Sequence, residues 1–292
     1  VSIVSQAQRA LAFARSRPRA ADTMPHSAQS LGIPKIGQVP AIAAAPSGAL
    51  YVLHRGDSNF FSTGNKLPFD PILALSAGSR ALVGSMGAGV FTVPHGLSVD
   101  HRGHLWATDV GSHQVFEFDP ATGHVVRTLG SGRAGSDEAS FNKPTDVAVD
   151  ADTGEIFVAD GYGNSRIVVF AADGRYLRQW GSRGGGHGQF LVPHSLALDG
   201  RGHVYVADRE NARVQVFSTR GDFEQVWTSR ILAEADRSSW GKHVSSVRYD
   251  KVLDLLVVTE GSGVSVRTRG GCTVADGLTG LEWPHAAVLL SL

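Results

Sequence analysis

Aligned segments return about every fifty residues in this chain, and no other feature restricts its fold so tightly. Pro94-His-Gly-Leu-Ser-Val-Asp100, His104-Leu-Trp-Ala-Thr-Asp109 and Gln114-Val-Phe-Glu-Phe118 set the pattern. It returns as Pro144-Thr-Asp-Val-Ala-Val-Asp150, Glu155-Ile-Phe-Val-Ala-Asp160 and Arg166-Ile-Val-Val-Phe170, then as Pro193-His-Ser-Leu-Ala-Leu-Asp199, His203-Val-Tyr-Val-Ala-Asp208 and Arg213-Val-Gln-Val-Phe217. Each copy holds three short alternating runs broken by turn signals such as Asp152-Thr-Gly154 and Arg201-Gly202. A fourth run follows, in Val125-Val-Arg-Thr-Leu129 and Tyr176-Leu-Arg-Gln-Trp180. Four antiparallel strands per copy is the blade of a β-propeller. A helical solenoid needs apolar spacing of three and four, which these runs lack.

Further copies flank the clear ones. Pro40-Ala-Ile-Ala-Ala-Ala-Pro46 with Ala49-Leu-Tyr-Val-Leu-His54 reads as an earlier blade, and Val244 to Val258 as a fifth. Pro284-His-Ala-Ala-Val288 starts a sixth, and the chain stops at Leu292. The expected fold is all-β: a six-bladed propeller over residues 38–292, with about five full blades and a last blade truncated to its inner strand. Residues 1–37, with Arg9, Arg15, Arg17 and Arg19 among alanines, read as a disordered leader without the continuous apolar stretch of a signal peptide.

Composition narrows the function. Lys+Arg and Asp+Glu balance at 27 each, so no net field draws nucleic acid or anionic lipid. No apolar run reaches membrane-spanning length. The single Cys272 allows neither an intrachain disulfide nor a thiolate-rich metal site.

Three copies of one turn stand out: Val93-Pro94-His95, Val192-Pro193-His194 and Trp283-Pro284-His285. In a propeller the first strand of each blade lines the central channel. Counted from Pro40, His95 opens blade two, His194 blade four and His285 blade six. Alternate blades of a six-fold ring stand about 120° apart. Three imidazoles at one height would then give a trigonal set with an open fourth position, the arrangement of a catalytic zinc site. Ala41 or Ile42, Thr145 and Ser245, on the blades between, are not strong ligands. The bland reading makes Pro-His a strand-start habit, with each ring bonded to backbone. Asp109, Asp160 and Asp208 read as turn caps, and Arg166 and Arg213 as structural partners at one repeated position.

Several runs are longer than a generic repeat. His54-Arg-Gly-Asp57, the run from Pro94 to Asp100, Thr108-Asp-Val110 with His113-Gln-Val-Phe116, Pro144-Thr-Asp-Val-Ala-Val149, Asp160-Gly-Tyr162 with Asn164-Ser-Arg-Ile167, Pro193 to Leu198 and Ala207-Asp-Arg-Glu-Asn211 together resemble the peptidyl-α-hydroxyglycine α-amidating lyases. Those enzymes are NHL-type six-bladed propellers and form the second half of the peptide-amidating system. The resemblance is dense from about residue 38 to 228 and thin afterwards.

The resemblance implies zinc held by His95, His194 and His285, a catalytic tyrosine at Tyr162, and two active-site arginines at Arg55 and Arg209. It implies a structural calcium on the backbone carbonyls of Ile42 and Leu97 and on an Asp after the third histidine. Ala286 stands at that position and supplies no carboxylate. Gly163 and Asn142 stand where animal members place cysteines. The implied reaction splits a peptide ending in α-hydroxyglycine into a peptide amide and glyoxylate. Zinc would lower the pKa of the substrate hydroxyl, and Tyr162 would take its proton, helped by the nearby charge of zinc and Arg55. Either arginine could hold the substrate carboxylate. The implied setting is the secretory pathway, secretion or the periplasm, with a peptidylglycine hydroxylating monooxygenase as partner. Two other classes compete: a non-catalytic NHL propeller that binds protein or RNA, and a sugar-lactone or phosphoester hydrolase. The latter relies on calcium carboxylates in the channel, where this chain offers histidines.

Overall fold

The computed structural model describes residues 36–58, 64–228, 243–261 and 263–278. Five four-stranded antiparallel sheets follow one another along the chain. Blade one is β1 (Ala41–Ala44), β2 (Leu50–Leu53), β3 (Ile72–Leu75) and β4 (Leu82–Met86). Blade two is β5 (Pro94–Val99), β6 (Leu105–Asp109), β7 (Gln114–Asp119) and β8 (His124–Leu129). Blade three is β9 (Asp146–Val149), β10 (Ile156–Asp160), β11 (Arg166–Phe170) and β12 (Tyr176–Trp180). A small parallel pair, β13 (Ser182–Arg183) with β14 (Gln189–Phe190), leads into blade four. That blade is β15 (Pro193–Leu198), β16 (His203–Asp208), β17 (Arg213–Ser218) and β18 (Phe223–Thr228). Blade five is β19 (Val244–Asp250), β20 (Leu255–Glu260), β21 (Gly263–Arg267) and β22 (Thr273–Leu278).

This corrects the expected six-bladed ring, because the described residues make five blades. A blade needs four strands paired in sequence, and five such copies fill residues 41–278. The motif read as a sixth inner strand, with His285 and Ala286, lies outside the described residues, as does all but the end of the expected leader. The 120° spacing inferred for the histidines belonged to the six-fold count and falls with it.

The strand patterns explain the layering. The second strand of a blade lies deep in the fold, and Ile156 to Asp160 and Leu255 to Glu260 are buried throughout. The outermost strand faces water on one side, and β8 alternates exposed and covered residues. The core therefore lies between blades. Phe91, Leu97 and Phe118 pack blade one on two; Trp106, Phe141 and Val158 pack two on three. Phe157, Phe190 and Phe217 pack three on four, and Tyr205, Trp227 and Val258 pack four on five. Each such side chain contributes about 1.5–3 kcal/mol by leaving water.

Buried ions tie the blades at repeated positions. Asp160, fully buried, accepts from Arg166 Nε at 2.9 Å and from the backbone N–H of Asn142 at 2.8 Å. Asp208 does the same with Arg213 Nε at 2.8 Å and Leu191 N–H at 3.0 Å. Asp109 accepts the backbone N–H groups of Thr92, Val93, Gly111 and Ser112. These aspartates fix where each blade hands over to the next inner strand, and so fix the height of the Pro-His turns.

Candidate functional site

His95 and His194 each sit at an irregularity in the ladder of an inner strand. The register shifts between Pro94 and Leu97 in blade two and between Pro193 and Ser195 in blade four. Blade five shifts at the equivalent place, between Val244 and Ser246. A bulge re-aims the side chain it carries. Here it turns both imidazoles toward the axis, where their ring centroids lie 4.9 Å apart and nearly perpendicular. Both side chains are buried.

Backbone carbonyls set the tautomer of each ring. His95 Nδ1 lies 2.8 Å from the Thr145 carbonyl oxygen, and His194 Nδ1 lies 2.7 Å from that of Ser245. A carbonyl only accepts, so each Nδ1 carries its hydrogen and each neutral ring keeps its lone pair on Nε2. Thus Thr145 and Ser245, on the blades beyond, orient the histidines rather than ligate. Glycine permits this approach: a Cβ on Gly96 would lie 2.6 Å from the Thr145 carbonyl oxygen.

The two Nε2 atoms converge on the Tyr162 hydroxyl, at 3.0 Å from His95 and 2.9 Å from His194. Tyr162 follows β10 in the turn toward β11, and the turn is pressed against blade four. A Cβ on Gly161 would stand 2.0 Å from the Pro193 carbonyl oxygen. One hydroxyl hydrogen serves only one lone pair. Two imidazole lone pairs directed at one region form a donor set suited to a cation, and imidazole nitrogen suits zinc. Nδ1–H bonds to backbone are the usual outer support of ligating histidines. The residues present therefore fit the implied zinc. The third expected ligand, His285, lies outside the described residues.

Two arginines supply positive charge. Arg55, in the turn after β2, is buried and donates from Nε to the Pro94 carbonyl at 2.9 Å and from Nη1 to Gln38 Oε1 at 3.1 Å. Arg209 opens a single 3-10 turn after β16, with its N–H on the Val192 carbonyl at 2.8 Å. Burial pushes the Tyr162 phenol above its ordinary range, while the charges of Arg209 and Arg55 pull the other way and Glu210 opposes them. Burial also lowers the Arg55 pKa, against the pull of Tyr162 and Asp109.

The sequence reading missed His243. It stands before β19, and its Nδ1 lies 3.4 Å from Glu210 Oε2. Glu210 Oε1 accepts from Arg209 Nη1 at 2.9 Å, so one carboxylate spans Arg209 and His243. Only its alignment with Val93, Lys143 and Val192 of the other blades could have drawn notice to it. Asn142 and Gly163 do meet: Gly163 N–H donates to the Asn142 carbonyl at 2.9 Å, and the Asn142 side chain fills the space beside Gly163. Among the described residues, Asp100, His104 and Glu117 also bring ligand atoms together. Arg102 and Arg127 already bind those carboxylates, which makes the group an ion-pair network. No helix among the described residues is long and apolar enough to cross a membrane.

Comparison with known proteins follows this geometry. The NHL repeat family matches residues 91–118, 141–170 and 190–217, parts of blades two, three and four. The chain is 39% identical over 232 residues to the peptidylglycine alpha-amidating monooxygenase of Rattus norvegicus, covering 73% of this chain and 23% of that protein. It is 37% identical over 231 residues to peptidyl-alpha-hydroxyglycine alpha-amidating lyase 2 of Drosophila melanogaster, covering 70% of this chain and 56% of that protein. It thus spans from about a quarter to about half the length of these relatives. A chain of a nidogen/laminin complex shares the fold at 13% identity and a TM-score of 0.62, covering 84% of this chain and 81% of that one.

Proposed function

We propose, for a chain that belongs to the peptidyl-α-hydroxyglycine α-amidating lyase family and carries NHL repeats, that it is a zinc-dependent lyase. Its substrate would be a peptide ending in α-hydroxyglycine, and its products the peptide amide and glyoxylate. The observation that carries this reading is the Tyr162 hydroxyl held within 3.0 Å of two imidazole Nε2 atoms whose tautomers are fixed by backbone. The relatives' names support the peptide substrate, and the monooxygenase among them supports a hydroxylating partner that makes the α-hydroxyglycine. Secretion or the secretory pathway follows as part of the same proposal.

In the reaction the substrate's O–H bond breaks, its C–N bond breaks, a C=O bond forms, and the amide nitrogen gains a proton. His95 and His194 would hold zinc, with His285 as the further ligand that the family resemblance implies. Zinc, when bound, supplies Lewis acidity that lowers the pKa of the substrate hydroxyl. Tyr162 takes the hydroxyl proton. Its oxygen lies 3.0 and 2.9 Å from the two Nε2 atoms, within reach of a hydroxyl that would bind between these histidines. The same phenol can return a proton to the departing nitrogen, which balances the step. Arg55 and Arg209 offset the charge on the phenolate, and a guanidinium fork suits the substrate carboxylate. Glu210 pairs with Arg209 and also meets His243.

Incubation of the zinc-loaded protein with a peptidyl-α-hydroxyglycine tests the reading. It predicts glyoxylate and amide in equal amounts, lost on chelation and restored by zinc. Zinc content near zero after incubation with excess zinc and dialysis, together with intact folding, would favour a binding propeller without catalysis.

A further inference from the structure

Arg248 breaks the pattern of the inner strands. Two residues before the closing aspartate, blades two, three and four carry Ser98, Ala148 and Ala197, while blade five carries an arginine. Small residues at that position leave the axial channel open below the histidines. The long side chain of β19 enters it.

There it collects oxygens from three blades. Arg248 Nη1 donates to Asp146 Oδ2 at 2.7 Å in blade three and to Ser195 Oγ at 2.7 Å in blade four, and it also lies 3.4 Å from the Leu196 carbonyl and 3.1 Å from the Val247 carbonyl of its own blade. Nη2 reaches Asp146 Oδ1 at 3.3 Å, which makes the pair bidentate. Asp146 is 1% exposed. A carboxylate so buried requires a partner charge, and two backbone N–H groups, from Leu196 and Val147, complete its bonding. One carboxylate, two carbonyls and a hydroxyl are the oxygen set that a hard cation would gather.

We infer that Arg248 is the built-in axial cation of this chain and that no calcium binds in the channel. Ile42 and Leu97, whose carbonyls the family resemblance assigns to calcium, line an axial cavity of about 210 Å³ together with Leu196 and Arg248. A fixed guanidinium on that cavity repels a divalent ion. Its charge is matched by Asp146, and none of the described residues lining the cavity carries a carboxylate. Ala286 adds none, since Asp is the residue the resemblance expects there. The donor set does not fit calcium. The arginine ties blades three, four and five as a bound ion would, but permanently, because it cannot be lost to dilution or chelation.

The test uses the full chain with zinc supplied throughout, titrated with calcium chloride by equilibrium dialysis and by thermal unfolding. The wild type should retain less than one-tenth of a calcium per chain at millimolar calcium, and its midpoint should stay unchanged with calcium or with a calcium-selective chelator. Arg248→Ser should lower the midpoint and make it rise again with calcium. If that variant fails to fold, Asp146→Asn combined with Arg248→Ser removes both charges and should fold with no response to calcium. One calcium per wild-type chain surviving dialysis, or a wild-type midpoint that falls with the calcium chelator, would overturn the inference.

Discussion

Replacing Tyr162 by phenylalanine isolates the proton transfer from the binding of metal. The ring packs against His95 and His194, with centroids 5.2 and 5.5 Å away, and the variant keeps those contacts. Only the hydroxyl goes, and with it a hydrogen bond worth about 1 kcal/mol. Folding and zinc content should therefore survive. Turnover should not. A phenol with an ordinary pKa of ~10 is ionised about one part in a thousand at pH 7, and burial pushes Tyr162 higher still. The proposal therefore needs the positive charge of zinc, Arg209 and Arg55 to bring proton transfer into range. Loss of the base should cost about 10²–10⁴ in kcat, or about 2.7–5.4 kcal/mol in the barrier. Glyoxylate release at saturating substrate, measured on matched zinc-loaded samples, gives kcat and KM for both proteins. The wild-type rate should rise with pH up to the value of the metal-shifted phenol, and the rise should vanish in the variant. A variant whose turnover lies within about threefold of wild type would refute the base role.

Other perturbations reach the scaffold and the site separately. Arg166→Met leaves the Asp160 carboxylate buried beside Asn164 without its guanidinium and should cost about 3–5 kcal/mol in denaturant unfolding. Gly161→Ala places a methyl 2.0 Å from the Pro193 carbonyl oxygen. The Tyr162 turn must shift, and a displacement of about 1 Å should cost about a hundredfold in kcat while the chain still folds. Burial, with the Asp254 hydrogen bond and charge, raises Tyr249 from 10.0 to about 12. A folded value above the unfolded one stabilises the fold fully below pH 10 and is lost as pH rises through 12. The thermal midpoint should fall over that window, and Tyr249→Phe should make the fall shallower.

The propeller was legible because its signals are local. Alternating runs and Asp-Gly turns repeat along the sequence, and strands such as Ile156–Asp160 and His203–Asp208 appear where the repeats predict them. The blade number was misread because a Pro-His turn near the end was counted as opening a further blade, whereas the described residues make five four-stranded sheets. His95, His194, Tyr162, Arg55 and Arg209 were readable as candidates because each lies in its own long motif. What motifs could not show is how they meet. The bulges that re-aim the two histidines and the carbonyls of Thr145 and Ser245 that fix their tautomers are backbone features, which no side-chain pattern encodes. The Arg248–Asp146 pair joins residues 102 positions apart, beyond the reach of any local reading. Glu210 follows Arg209 in the sequence, but its contact with His243 arises only when blades four and five pack.

We propose that His95, His194 and Tyr162 form a metal-assisted lyase site. Its most direct test is glyoxylate release from a peptidyl-α-hydroxyglycine by the intact protein, with zinc bound, with zinc removed, and with zinc restored. Release is expected with zinc, loss on removal and recovery on restoration, in step with about one zinc per chain. Folded, zinc-loaded protein that releases no glyoxylate above the uncatalysed rate would contradict it.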